Sequence, residues 1–290
     1  MSNLSSMTVL IVGLGQIGGS IALSLRRNKS VERVIGYDKK RSVTSEALRR
    51  RIIHQSASSI SAGLRNADLV IIAAPIRQTI KLLPDLAKAI PAENNPMIID
   101  VAGSKTEIMN LAASLGLNFV GGHPLTGTEQ SGLDSVSYKL FEHSVFVLTP
   151  QKCQPTGGIK VARSFVKALG ANPLVMSSEE HDRLISVTSH LPYLLAVTLS
   201  DLASDISKKD KKMNKLTAGS FESATRVAAS PVELTLDMFL TNRTELCSTV
   251  HELIDRLTQM KHHLKDFDEE KLRYIISRAH RRAKQANRKR

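Results

Sequence analysis

The first half of the chain alternates between two apolar rhythms. Short β-rich runs at Thr8–Val12, Val34–Tyr37, Leu69–Ala73 and Met97–Val101 alternate with stretches whose apolar residues recur at helical spacing, such as Ile17, Ile21 and Leu25, or Ile76, Ile80, Leu83, Ala87 and Ile90. A helix from about Ser104 and a strand ending at Val120 continue the series. Strands alternating with helices predict a parallel, doubly wound sheet. Phe141–Leu148 reads as a further strand, Ile159–Leu169 as a helix and Pro173–Met176 as a last short strand. Beyond it the strand signals stop. The pattern predicts an α/β, Rossmann-type domain over residues 1–176 and an all-helical domain over 177–290.

The helical half carries its own punctuation. Ser177-x-x-Glu180 caps a long helix that contains Pro192, and a proline there predicts a kink around Thr188–Pro192. Ser207–Lys215 reads as a solvated connection, and Ser230-Pro231-x-Glu233 as a serine cap with proline in the first turn of the next helix. Along that helix Leu246, Val250, Leu253, Leu257, Met260 and Leu264 alternate four and three residues apart, a heptad-like seam. Packing within one subunit would explain it. A homodimer whose C-terminal helices bury each other is the favoured reading.

Composition narrows the setting. Cys153 and Cys247 are the only cysteines and lie in no metal-ligand spacing, so neither a disulfide framework nor a metal site is expected, and a reducing cytoplasm is. No apolar run approaches the roughly 20 residues a membrane helix needs, and Met1–Ser6 lacks the features of a signal peptide. The net charge of +13 is concentrated at the end, because the stretch from Lys271 onward carries nine basic residues and no acid. No aromatic residue follows Tyr274, so this tail offers no platform for stacking on bases. It reads as a solvated tail or a weak contact for anions, and specific nucleic-acid binding is not expected. A nucleotide sensor with a nucleic-acid-contacting tail is the non-enzyme alternative.

Candidate chemistry gathers where strands end. Gly13, Gly15 and Gly18 form G-x-G-x-x-G around Gln16 and Ile17, between a strand and a helix. The pattern suits a pyrophosphate held on free amides at the helix start. Asp38 closes the second strand 20 residues after Gly18, where a carboxylate accepts hydrogen bonds from an adenosine ribose and disfavours a 2′-phosphate. That points to NAD. Lys39, Lys40 and Arg41 soften the preference and keep NADP as the alternative. The segments Ala74, Pro75 and Ile76, then Val101–Ser104, then Gly121–His123 fall at the ends of successive strands and share one rim with the glycine turn.

His123, in the Phe119–Gly132 segment FVGGHPLTGTEQSG, is placed to meet a ligand, although a turn-forming role would also explain it. Ser104 reads two ways, as the cap in Ser104-x-x-Glu107 and as a hydroxyl aimed at a bound nicotinamide. His181 and His190 could line a cavity near the kink or pack in the core. Arg226 sits before a helix start among small residues, which suits bidentate recognition of a carboxylate, with a surface ion pair as the plain alternative.

The chain resembles the prephenate and arogenate dehydrogenases of tyrosine biosynthesis over nearly its whole length apart from the basic tail. The resemblance is carried by GLGQIGGS at Gly13–Ser20, AAPI at Ala73–Ile76, DVAGSKTEI at Asp100–Ile108, GGHPLTGTEQSG at Gly121–Gly132, SHLP at Ser189–Pro192 and FESATRVAAS at Phe221–Ser230. It implies oxidative decarboxylation of a cyclohexadienol with hydride transfer to a nicotinamide and no metal. By position it makes His123 the base, has Ser104 hydrogen-bond the substrate hydroxyl and has Arg226 grip a carboxylate. Glu129 would pair with Arg226 in the empty site, and Ser189, His190 and Tyr193 would line the substrate. Tyr193 stands where many prephenate enzymes have histidine, and Thr235 where some have tryptophan, both where the substrate side chain is read. Prephenate is the favoured substrate, with arogenate or dual use as the alternative. A 3-hydroxyacid or 6-phosphogluconate-type dehydrogenase would place a lysine on a helix of the second domain, and none occurs between Ser178 and Ile206.

Overall fold

The computed structural model describes residues 4–126, 132–151 and 156–287. Eight strands form one sheet: β1 (Thr8–Val12), β2 (Arg33–Tyr37), β3 (Gln55–Ser56), β4 (Leu69–Ile72), β5 (Met97–Asp100), β6 (Phe119–Pro124), β7 (Val145–Pro150) and β8 (Asn172–Val175). Their order across the sheet is β3-β2-β1-β4-β5-β6-β7-β8. Five helices, α1 (Gln16–Arg27), α2 (Arg41–Arg49), α3 (Ile60–Leu64), α4 (Ile76–Ala89) and α5 (Thr106–Ser114), separate the strands up to β6, and α6 (Thr156–Ala168) joins β7 to β8.

The strand sequences explain why the sheet lies in the middle. Val9 and Ile11 of β1 pack into one core cluster with Leu69 and Ile71 of β4 and Ile99 of β5. Leu10, Val12, Val70, Ile72 and Ile98 face the other cluster. Period-2 alternation therefore splits each strand between two fully apolar layers, the condition under which parallel strands are buried on both faces. At β1 the order reverses, with β2 on one side and β4 on the other, and a crevice forms at their carboxyl ends.

Two features depart from the sequence reading. The two-residue β3 falls in a stretch with no strand periodicity, and β7 runs antiparallel to β6, with Val120 opposite Pro150 and Pro124 opposite Phe146. The chain leaves β6 at the carboxyl rim, and among the described residues no crossover helix carries it back before β7, as fits a return in the opposite direction. The predicted strand at Phe141–Leu148 begins later, at Val145, because Phe141 is a buried residue of the preceding turn.

After the sheet come α7 (Ser178–Ile185), a π-helical turn (Ser186–His190), α8 (Leu191–Lys209), α9 (Met213–Leu216), α10 (Gly219–Thr225), a 3₁₀ turn (Arg226–Ala229), α11 (Val232–Thr241), α12 (Arg243–Lys265) and α13 (Glu269–Asn287). Ser177 caps α7 as expected, its hydroxyl accepting the Glu180 amide at 3.0 Å. The irregularity predicted from Pro192 takes the form of the π turn, which ends just before the proline enters the first turn of α8. Much of the expected connection at Ser207–Lys215 is helical, in the end of α8 and in α9. The helix expected from Pro231 is broken at Asn242, and the Ser230 hydroxyl does not cap it. The chain groups into two compact units, Met1–Arg243 and Thr244–Arg290, so α7 to α11 stand with the sheet in the first. Among the described residues no helix is long and apolar enough to cross a membrane.

Candidate active site

Strands β1, β2, β4, β5 and β6 are parallel, so their carboxyl ends form one rim. At the end of β1 the backbone of Gly13 has φ +96°, a left-handed conformation that favours glycine. A Cβ on Gly18 would lie 1.9 Å from the Gly13 carbonyl oxygen, so helix and turn can approach this closely only with glycine there. Gly15, which precedes α1, has nothing within 4 Å of the equivalent point. The loop is therefore closed where it packs and open where a phosphate would approach, a shape that fits a dinucleotide. Gln16 and Ile17 form the first turn of α1.

Asp38, after β2, accepts the Leu14 amide on Oδ2 at 3.0 Å and the Lys40 amide on Oδ1 at 2.9 Å. It thus organises the turn and the glycine loop together, and each carboxylate oxygen keeps further acceptor capacity. Ala74, Pro75 and Ile76 lead from β4 into α4, and Val101 follows β5. All ten residues expected to hold the cofactor lie at the ends of β1, β2, β4 and β5 or in the first turns that follow.

His123 is half-buried on β6, with its Nδ1 2.9 Å from Nε2 of His181 on α7. The other ring nitrogen, Nε2, is 3.9 Å from the point where a Cβ on Gly103 would stand. His181 Nδ1 lies 2.7 Å from Asp182 Oδ1. The same carboxylate accepts the Lys105 amide and the Thr106 amide, each at 2.8 Å, and so caps α5 from another part of the chain. This overturns the capping reading of Ser104. Lys105 is the residue preceding α5, and the buried Ser104 hydroxyl instead donates to Thr241 Oγ1 on α11 at 2.8 Å.

Burial pushes the His123 pKa well below its ordinary value, and His181, Lys105 and His190 push the same way. Burial acts to raise Asp182, but the hydrogen bonds from His181 and Thr106 outweigh it and hold the carboxyl below its usual range. Beneath the site the fully buried Lys105 ammonium pairs with Asp100 and donates to the Gly122 carbonyl at 2.7 Å. It thereby fixes β6 one residue from His123. Removing one member of such a buried pair typically costs about 3–5 kcal/mol, whereas forming it gains little.

The remaining expected residues fare differently. His190 is buried, and its Nδ1 accepts from Asn242, whose amide also donates to the Asp182 carbonyl. It is a packing histidine, held by burial at a pKa of about 4. Ser189 is half-buried in the π turn, and Tyr193 is half-buried near the start of α8. Arg226 is exposed on the 3₁₀ turn, which packs against α8. Glu129 lies outside the described residues. The sequence reading left His181, Asp182, Lys105 and Thr241 out of the site. An adjacent His-Asp pair one turn into a capped helix was the available signal for the first two. Arg77, next to the Ala74–Ile76 loop, also reaches α11, pairing with Asp237 and with Glu233 at 3.0 Å.

Comparison with known proteins agrees with this arrangement. Residues 21–175 match the family model described as prephenate dehydrogenase, nucleotide-binding domain, and residues 177–278 match prephenate dehydrogenase, dimerization domain. The chain belongs to the prephenate dehydrogenase family. It is 32% identical to the prephenate dehydrogenase of Bacillus subtilis over 91% of this chain and 72% of that protein. To the cyclohexadienyl dehydrogenase of Zymomonas mobilis it is 30% identical over 87% of each. The crystal structure of prephenate dehydrogenase from A. aeolicus in complex with hydroxyphenyl propionate and NAD+ superposes with a TM-score of 0.89, at 30% identity, over 96% of this chain and 97% of that one. This chain is therefore an NAD-dependent oxidoreductase of that family.

The glycine loop yields a paired test. Gly15→Ala should leave the melting temperature unchanged while weakening NAD binding, because the added methyl meets ligand and not protein. Gly18→Ala should destabilise the fold by about 1–3 kcal/mol through forced backbone movement. Thermal melts beside NAD titrations check both, and equal behaviour of the two variants would contradict the division of roles.

Proposed function

We propose that this chain oxidatively decarboxylates prephenate to 4-hydroxyphenylpyruvate, with His123 as general base. The observation that carries the reading is a half-buried imidazole on the same rim as the glycine loop, with one nitrogen engaged by His181 and the other beside Gly103. Bound NAD supplies the hydride acceptor. His123 Nε2 takes the proton of the ring hydroxyl as the carbon beneath it gives up hydride, and the ring carboxylate leaves as carbon dioxide, its bonding electrons completing the aromatic ring as a phenolate that takes the proton back from His123. The depressed pKa of His123 keeps the imidazole unprotonated at neutral pH and ready to accept.

Ser104 assists by donating to the oxygen of the substrate hydroxyl, whose own proton faces His123: on binding, the Ser104 proton turns from Thr241 Oγ1 to the substrate, while Thr241 keeps its bond to the Asp237 carbonyl. Arg226 holds a substrate carboxylate, and Ser189 and Tyr193 border the substrate side chain. Arogenate is the second reading, favoured by the similarity to the cyclohexadienyl enzyme of Z. mobilis and by Tyr193 at the position where the side chain is read.

The working unit is a homodimer in the cytoplasm. Leu195, Leu199, Leu202 and Ile206 recur four, three and four residues apart along α8 and are 38–57% exposed. In the second unit Ile254, Leu257, Leu264 and Ile276 are exposed as well. Apolar stripes of this kind are covered in a stable protein, and a second copy covers them. The exposed free thiol of Cys247 suits a reducing compartment.

Absorbance at 340 nm, measured for prephenate and arogenate with NAD and with NADP, should show the fastest turnover for prephenate with NAD. His123→Asn should lower kcat by about 10²–10⁴-fold while NAD still binds. Near-normal turnover of that variant would remove the imidazole from the reaction. Sedimentation equilibrium should give the mass of two chains, falling to one in Leu199→Glu/Leu202→Glu, and a monomeric wild type would refute the dimer.

A further inference from the structure

We infer that His181 and Asp182 are positioning residues that set the tautomer of His123, leaving the lone pair on its Nε2 atom. The inference rests on reading His123 as the base and concerns how that base is prepared. The ionised Asp182 carboxylate can only accept. Because Asp182 Oδ1 lies 2.7 Å from His181 Nδ1, that nitrogen carries a proton. Neutral His181 then offers only a lone pair at Nε2. His123 Nδ1, 2.9 Å away, must therefore be the donor. With its proton on Nδ1, neutral His123 keeps its lone pair on Nε2, the nitrogen beside Gly103. A free histidine side chain prefers the reverse, with the proton on Nε2, so the protein has to impose this form.

Main-chain contacts make the imposition rigid. Asp182 cannot turn away, because the amides of Lys105 and Thr106 hold both its oxygens. His181 cannot turn away either, since it is 1% exposed and stands in the first turns of a helix capped by Ser177. Water has no access to replace it. The charged and titratable groups around the pair are Asp182, the Lys105 ammonium with its partner Asp100, and His190 from the π turn. Were His181 an imidazolium, both its nitrogens would donate, and the His123 lone pair would be consumed at Nδ1. The arrangement resembles the way a buried aspartate orients the histidine of a serine protease, extended here by one more ring.

Long-range ¹H–¹⁵N correlation of the imidazole nitrogens in the full chain, with His123 assigned by difference against His123→Asn, reads the tautomer without reference to turnover. The expected result is His123 protonated at Nδ1 in the wild type, with loss of that preference in His181→Leu. In steady-state assays His181→Leu should lower kcat by about 10²-fold or more while KM and NAD affinity stay near wild type. His181→Gln should recover most of the loss, since its amide oxygen can accept the same bond. A wild-type His123 protonated at Nε2 would overturn the inference even if His181→Leu fails to fold. So would a folded His181→Leu enzyme with unchanged kcat, or a glutamine variant no better than leucine. If neither cyclohexadienyl acid is turned over, the reading of the reaction fails, and the tautomer measurement still decides this inference.

Discussion

One carboxylate ties the helical part of the first unit to the rim of the sheet. Asp182 sits one turn into α7 and its carboxylate accepts three hydrogen bonds, from the two amides that open α5 and from the ring of His181. Buried and deprived of water, it would be costly without them, and a cap of this kind is worth about 0.5–2 kcal/mol even at an exposed helix end. The two amide bonds fix α7 against the start of α5, just after β5, and the third turns the His181 ring. They therefore determine where the rings of His181 and His123 meet.

A second set of contacts reinforces that placement from α11. Ser104, on the loop after β5, bonds Thr241, and Arg77, in the first turn of α4 beside the loop after β4, pairs with Asp237 and Glu233. Asn242 closes the circle by reaching both the Asp182 carbonyl and His190. Two of the three loops that border the cofactor crevice are thus braced by one helix. The histidine loop is braced from below by the Lys105–Asp100 pair. The loops of the site are thus tied to residues of α7, α11 and β5 rather than only to one another.

Most of the sheet was legible in the sequence because burial on both faces calls for short apolar runs rich in β-branched residues, and TVLIV, LVII and MIID supply them. The glycine loop was legible for a steric reason, since Gly18 admits no side chain against Gly13. What escaped notice depends on partners far away in sequence. Ser104-x-x-Glu107 has the local form of a capping box, but the carboxylate of Asp182, 77 residues on, takes the amide instead. A formal charge outcompetes a hydroxyl for exposed amide protons. His181 read equally as a cavity-lining or a packing histidine, and only the fold reveals what lies against it. The antiparallel β7 was hidden because strand direction follows from the connection, and an apolar run reads the same either way.

The account turns on His123 standing uncharged in the resting enzyme. The pH dependence of kcat/KM reports the free enzyme, so it tests this state most directly. With burial, His181, Lys105 and His190 all depressing its pKa, protonation should begin only below the ordinary histidine value of about 6.5. The predicted profile for prephenate oxidation is flat from neutral pH down to about 6.5 and falls on the acid side of it. A rate that instead climbs with pH through 7 and beyond, with a limb that depends on His123, would contradict it.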